Sequence, residues 1–258
     1  RFIPSSDIAQ LNRNAGCVTI VSADCYKLID TAVKAQTLTA GRFNPLMLTQ
    51  LQGLGYDRSW DEREPVERAF DSYPGSQHQV LLYPEISAVR IPEQTAFDPG
   101  GIGKGLAADM AVDLLVANGA TTISVELGGD LRVHGKCWYG SSWRVGVADP
   151  FHPQSNVGSF TIDRGAVATS STLRRRWTSS DGTQHHHLLD PRTGRSAQTD
   201  LVAVTTCTST GWWAEVLAKT ALIAGSAEAI QLLDGHETSG LVVTTDGNTM
   251  STTELVPA

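Results

Sequence analysis

The sequence predicts an α+β fold, a single domain of antiparallel sheet with helices packed on it. Three observations carry this. Residues before position 57 place apolar side chains at helical spacing. From Val80 onward the pattern changes to short β-branched segments bounded by turn residues. Those segments do not alternate with helices strictly enough for a doubly wound parallel sheet.

The elements follow in order. Ser5 or Ser6 caps a short helix running through Asn12, with Gly16 beyond it. Ser22 opens a longer helix whose apolar face is Leu28, Ile29, Ala32, Val33 and Ala35, and Gly41 stops it. Pro45 begins a third helix carrying Leu46, Leu48 and Leu51. Residues 57–79 are charged and contain Pro and Gly, which reads as an exposed loop. Strands are expected at 80–83, 88–91, 123–127, 143–147, 159–162 and 201–207, with helices over about 102–118 and 211–224. There is no repeat of fixed period and no linker long enough to separate a pair of domains, so residues 1–258 are taken as one domain.

Composition removes several function classes. Twenty basic residues against 27 acidic ones leave a net charge of −7, which disfavours a general nucleic-acid binder or a polybasic membrane anchor. No apolar run approaches the roughly 18 residues that span a bilayer. The four cysteines contain no CxxC, so neither a disulfide framework nor a zinc ribbon is expected. The sequence begins at Arg1 with no visible signal region, and the compartment, cytoplasmic or cell-envelope associated, stays open.

Four segments can carry chemistry. Asp98-Pro99-Gly100-Gly101-Ile102-Gly103-Lys104-Gly105 runs straight into a helix. Its glycines expose backbone N–H groups, the helix N-terminus adds positive potential, and Lys104 adds a full charge; together they suit a phosphate or pyrophosphate. It lacks the spacing of a Walker A loop or of GxGxxG, and a bare strand-to-helix turn fits it equally. Gly128-Gly129-Asp130 lets a ligand approach the backbone, or makes a hairpin turn. In His185-His186-His187 an extended chain would put the outer two on one face. No further ligands favour zinc there, whereas one histidine before the Asp190-Pro191 turn suits a general base. Finally, Glu215 and Lys219 lie four apart on a helix, as an ion pair or as a carboxylate near a hard cation.

In order, residues 1–12, 39–45, 54–60, 98–115, 125–135, 167–177, 186–195 and 214–225 resemble the ApbE family, the FAD:protein FMN transferases. The resemblance implies one α+β domain, with the family's N-terminal strand and helix falling upstream of Arg1. It implies transfer of the FMN moiety of FAD to a Ser or Thr of an acceptor flavoprotein, a post-translational flavinylation that releases AMP. The alternatives it leaves are an FAD pyrophosphatase and a non-catalytic FAD-binding protein. It implies His187 as the base, with Lys104 also catalytic. FAD contacts would come from Phe2, Tyr56, Asp98, Gly100, Gly101, Lys104, Gly128, Gly129, Asp130, Thr169, Ser170, Leu188 and Lys219. Magnesium would take the Gly101 carbonyl and Glu215, which stands where the family has Asp. Lys219 opposes that ion, because it replaces the family's metal-binding Thr and an ammonium donates without accepting; either Lys219 pairs with Glu215 and takes the metal's position beside the phosphates, or Glu215 holds the ion with extra waters. Asn44 also stands where the family often has Asp.

Overall fold

In a computed structural model the described residues are 1–58, 79–140, 142–179 and 182–252. Most of the expected 57–79 loop, residues 59–78, lies outside them. The chain forms two compact units, Arg1–Gly100 with Arg174–Ala197 and Gly101–Leu173 with Gln198–Ala258.

The first unit opens with α1 (Asp7–Arg13), where the Ser6 hydroxyl accepts the Ala9 N–H at 3.2 Å. After β1 (Thr19–Ile20), α2 (Ala23–Leu38) is capped by Ser22, whose hydroxyl accepts the Cys25 N–H at 3.3 Å. Cys25, Ile29, Ala32 and Ala35 form its buried stripe at helical spacing, while Leu28 and Val33 on its flanks are half-buried. α3 (Leu48–Gly53) starts later than Pro45. The reason is a local turn: Asn44 Oδ1 accepts the Leu46 N–H at 2.9 Å, which either Asn or Asp provides. β2 (Leu81–Tyr83) and β3 (Ala88–Arg90) complete an antiparallel sheet in the order β1-β3-β2.

The second unit begins with α4 (Gly103–Ala117), then β4 (Ile123–Leu127), β5 (Asp130–His134), β6 (Trp143–Ala148), β7 (Asn156–Ile162) and β8 (Gly165–Ser171). The chain returns to the first unit for two hairpins, β9 (Arg176–Thr178) with β10 (Gln184–His186) and β11 (Leu189–Asp190) with β12 (Arg195–Ser196). It ends in the second with β13 (Leu201–Thr208), α5 (Gly211–Ala224), α6 (Ser226–Gly235), β14 (Ser239–Thr244) and β15 (Thr249–Ser251). The expected strands all form, 123–127 with its ends as expected and the others with ends shifted by one to three residues. β1, β5, β8, β9, β11, β12, β14, β15 and α6 were not anticipated.

Among the described residues, the second unit's main sheet has the antiparallel order β15-β14-β13-β8-β5-β4. Strand alternation divides its two faces. On β8, Ala166 and Ala168 meet Ala214 of α5, and these small side chains let the helix lie close to the sheet. Val167 points the other way, into a cluster with Val147 and Phe160 of the β6–β7 hairpin and Leu241 and Val243 of β14. α4 packs on α5 and on β4 and β5.

α6 has an acidic cap from outside the helix. Asp200 Oδ1 accepts the Ser226 N–H at 2.9 Å, and Oδ2 accepts the Ser226 hydroxyl. These bonds hold the Asp200 carboxyl below its ordinary value of 3.8. A lowered carboxylate stabilises the fold above its unfolded pKa, and that contribution is lost as pH falls through the lower folded value. Asp200→Ala is therefore expected to cost about 1 kcal/mol at neutral pH, as cap removal does, and the difference from the parent should vanish in strong acid. Denaturant melts at both pH values check it.

Candidate active site

The centre of the second unit is a set of charges at the start of α4. Gly101, at φ +93°, turns the chain into the helix, a conformation that suits glycine. The Ile102 side chain makes no capping bond, so the first-turn N–H groups look elsewhere for acceptors. One finds a carboxylate: the Gly105 N–H donates to Glu215 Oε2 at 2.9 Å. Lys104 in the same turn donates to Asp130 Oδ2, and its Nζ lies 3.6 Å from Glu215 Oε1. Asp130 is also held by the Thr169 N–H of β8, 3.3 Å from Oδ1.

Lys219, one helical turn beyond Glu215, completes the set. A methyl group on Gly101 would stand 2.6 Å from Lys219 Cδ and 3.1 Å from its Nζ. The bare glycine therefore lets the lysine stem lie across the entry to α4. A side chain at Gly128 would touch the Lys104 stem at 3.4 Å. Gly128 and Gly129 are both at positive φ in the two-residue turn between β4 and β5, so the hairpin alternative is realised and delivers Asp130 to Lys104.

Burial sets the electrostatics. Glu215 and Asp130 are 5% and 4% exposed. Desolvation raises the pKa of both, and the Lys104 charge is the largest opposing influence on each. Asp130 raises Glu215 further, while the Gly105 N–H and Lys219 lower it. Two ammonium groups and two carboxylates balance formally, and the α4 N-terminus tips the local potential towards binding an anion.

Residues the sequence reading missed set this geometry. Gly105 and Gly211 are in backbone contact; a methyl on Gly105 would fall 2.1 Å from the Gly211 carbonyl oxygen. Asp109, one turn after Gly105, accepts the Gly211 N–H on Oδ1 at 2.8 Å and the Trp212 N–H on Oδ2 at 3.0 Å. Arg132 Nε donates to the same Oδ1 at 2.8 Å, and its Nη1 donates to the Val133 and Gly165 carbonyls. α5 is thus capped by α4, and Glu215 is carried to the Gly105 N–H. The available signal was an aspartate inside an apolar helix, four residues from a glycine.

The remaining candidates lie in the first unit. The Asp98 carboxylate leans over Gly100, where a methyl would stand 2.9 Å from Oδ2, and the Asp98 N–H donates to the Pro45 carbonyl at 2.8 Å. Arg1 joins Asp98 at 3.4 Å and lies 4.5 Å from the Phe2 ring centre and 4.8 Å from that of Tyr56. Phe2 is edge-on to Tyr56, and Tyr56 is followed by Trp177 and then His185 at ring separations of 5.8 Å. Trp177 is anchored by its Nε1–H to the Leu54 carbonyl at 2.6 Å.

The histidine run departs from the extended pattern. β10 ends at His186, and His187 sits half-buried at the bend that follows, so it does not share a strand face with His185. His186 Nδ1 accepts the N–H of buried Leu188 at 3.3 Å, and Nε2 donates to the Ala197 carbonyl at 3.1 Å. Burial lowers its pKa, and both ring nitrogens are engaged with the backbone, a structural role.

Gly101, Lys104, Gly128, Asp130, Thr169, Glu215 and Lys219 are thus brought together in the second unit, with Gly129 in the turn and half-buried Ser170 next on β8. Phe2 with Tyr56, and Asp98 with Gly100, are the groupings of the first. No helix among the described residues is long and apolar enough to cross a membrane.

Known proteins resemble the chain over most of its length. The FAD:protein FMN transferase of Vibrio cholerae is 27% identical over 254 residues, 94% of this chain and 74% of that protein. The protein of the same name from Treponema pallidum is 26% identical over 245 residues, 88% of this chain and 67% of that one. The crystal structure of the ApbE protein of Thermotoga maritima aligns with a TM-score of 0.82 at 26% identity, over 94% of this chain and 80% of that one. The sequence pattern of the ApbE family matches residues 1–242, and this chain belongs to the ApbE family.

Proposed function

We propose that this chain transfers the FMN moiety of FAD to a Ser or Thr hydroxyl of an acceptor flavoprotein, releasing AMP. The observation that carries the reading is the Lys104, Lys219, Asp130 and Glu215 set at the α4 N-terminus, a fixed array of charge suited to a pyrophosphate. The names of the relatives supply the substrate class.

The acceptor oxygen attacks the phosphorus on the flavin side of the pyrophosphate. A new P–O bond forms, and the bond from that phosphorus to the bridging oxygen breaks. The bridging oxygen leaves with the electron pair as part of AMP, and the hydroxyl proton passes to His187. Lys104 supplies positive charge where negative charge develops on the leaving oxygen. Phosphoryl transfer requires little beyond such positioning and neutralisation. Phe2 and Tyr56 provide aromatic surface for the flavin, and Asp98, Gly100, Gly128, Gly129, Thr169, Ser170 and Leu188 complete the FAD contacts.

The donor set does not fit a resident magnesium ion, which favours near-octahedral oxygen coordination. One Glu215 oxygen already accepts an N–H and the other faces the Lys104 ammonium, while the Lys219 stem covers Gly101. Among the described residues, no three His, Cys, Asp or Glu side chains are grouped to hold a metal.

The test is incubation with FAD and an acceptor flavodomain, following AMP and protein-bound flavin fluorescence on a denaturing gel. One AMP per covalent flavin is the expected result. AMP without covalent flavin would replace transfer by hydrolysis, and bound FAD that yields no AMP would replace catalysis by storage.

A further inference from the structure

Resting on the transfer reading above, we infer that Lys219 and Lys104 together stand in for a divalent cation at the pyrophosphate, so that this chain binds and cleaves FAD without a metal ion. The two ammonium groups supply the two positive charges that one magnesium ion would bring. They approach from different elements, Lys104 from the first turn of α4 and Lys219 from α5. Lys219 reaches the entry to α4 because Gly101 has no side chain: Cδ and Nζ would stand 2.6 and 3.1 Å from a methyl there.

The carboxylates are arranged to hold Lys104 rather than an ion. Asp130 and Glu215 are both buried, and both face Lys104. Their remaining strong contacts are backbone N–H groups, from Thr169 to Asp130 and from Gly105 to Glu215. A divalent cation placed between Gly101 and Glu215 would meet two ammonium groups and would have to displace one. An ammonium is a donor only, so it binds phosphate oxygens directly and cannot complete a metal shell.

In the transfer step, the P–O bond to AMP breaks with its electron pair on the bridging oxygen. Lys219 and Lys104 donate hydrogen bonds to the pyrophosphate oxygens as that charge builds. Neither lysine needs to lose its proton, so the step balances with His187 taking the acceptor's proton and AMP leaving as the anion.

The experiment measures FAD binding by quenching of flavin fluorescence, in chelator and in excess magnesium, for the parent chain and for Lys219→Thr, Lys219→Met and Lys219→Arg. The parent Kd should agree within about twofold between the two conditions. In chelator, Lys219→Met and Lys219→Thr should bind roughly tenfold or more weakly, the loss of one charge-assisted phosphate contact, while Lys219→Arg stays close to the parent. Magnesium should restore Lys219→Thr, whose hydroxyl sits one turn from Glu215, and leave Lys219→Met weak. Thermal melts identify any variant that fails to fold, and the parent comparison needs no variant at all.

Parent FAD binding that collapses in chelator would overturn the inference. So would unchanged affinity of folded Lys219→Met in chelator. AMP release is followed in the same samples with acceptor present. Parent turnover that requires magnesium overturns metal independence and leaves the transfer reading standing. Absence of AMP in both conditions overturns the transfer reading, and the binding series still decides whether Lys219 replaces the ion.

Discussion

Asp109→Ala should lower the unfolding free energy by roughly 3–5 kcal/mol, the range for breaking a buried ion pair from one side. Asp109 and Arg132 are both 8% exposed, and the aspartate has three donors converging on two oxygens. Truncation leaves the Arg132 guanidinium with two backbone carbonyls and no counter-charge. It also leaves the Gly211 and Trp212 N–H groups without acceptors at the start of α5. Asp109→Asn keeps an acceptor for the helix but not the charge, so its loss should be smaller. The damage should reach the charge cluster, because Glu215 and Lys219 ride on α5. FAD affinity of the folded Asp109→Ala fraction should fall even though Asp109 is not among the candidate FAD contacts. Urea titrations with FAD binding measured in the native baseline test both effects. A loss below about 1 kcal/mol would mean that water replaces the carboxylate without penalty.

The same network shows where sequence legibility ends. α2 was readable because its buried residues repeat at helical spacing and Ser22 announces its start. β5 was not, because its buried positions include Asp130 and Arg132, residues that a search for apolar runs passes over. Each is acceptable there only because a partner waits on α4, Lys104 for one and Asp109 for the other. That pairing follows from strand register and helix placement, which are non-local. β8 was missed for the opposite reason: Gly165–Ser171 is made of small residues whose purpose is to admit α5 closely. In the site, the Gly-rich run was legible as the entry to a helix that carries Lys104 in its first turn. The i,i+4 spacing of Glu215 and Lys219 was legible too. Spacing alone did not reveal that Glu215 turns to Lys104 and the Gly105 N–H, with Lys219 lying over Gly101.

His187→Ala should slow covalent flavin transfer by about 10²–10⁴-fold, the usual worth of a positioned general base, while FAD affinity changes less than about threefold. The neighbouring histidines sharpen this assignment. His186 commits both ring nitrogens to the backbone, one accepting from Leu188 and the other donating to Ala197. Replacing it should cost stability before it costs chemistry. The His185 ring is tilted against Trp177 at a centroid separation of 5.8 Å, and its Nε2 lies 3.2 Å from the Ser179 hydroxyl. His187 alone of the three falls at a bend, where the side chain is no longer tied to the strand's alternation. A base acts on the acceptor's proton and not on the pyrophosphate, so its removal should separate rate from binding. The check is single-turnover transfer at saturating FAD beside an equilibrium FAD titration, with His186→Ala as the comparison. Parent-like transfer by His187→Ala would remove it as the base and leave deprotonation of the acceptor to solvent. A parallel loss of FAD binding would make His187 a ligand contact instead. Slow transfer with intact binding is the one combination that a proton-accepting role predicts.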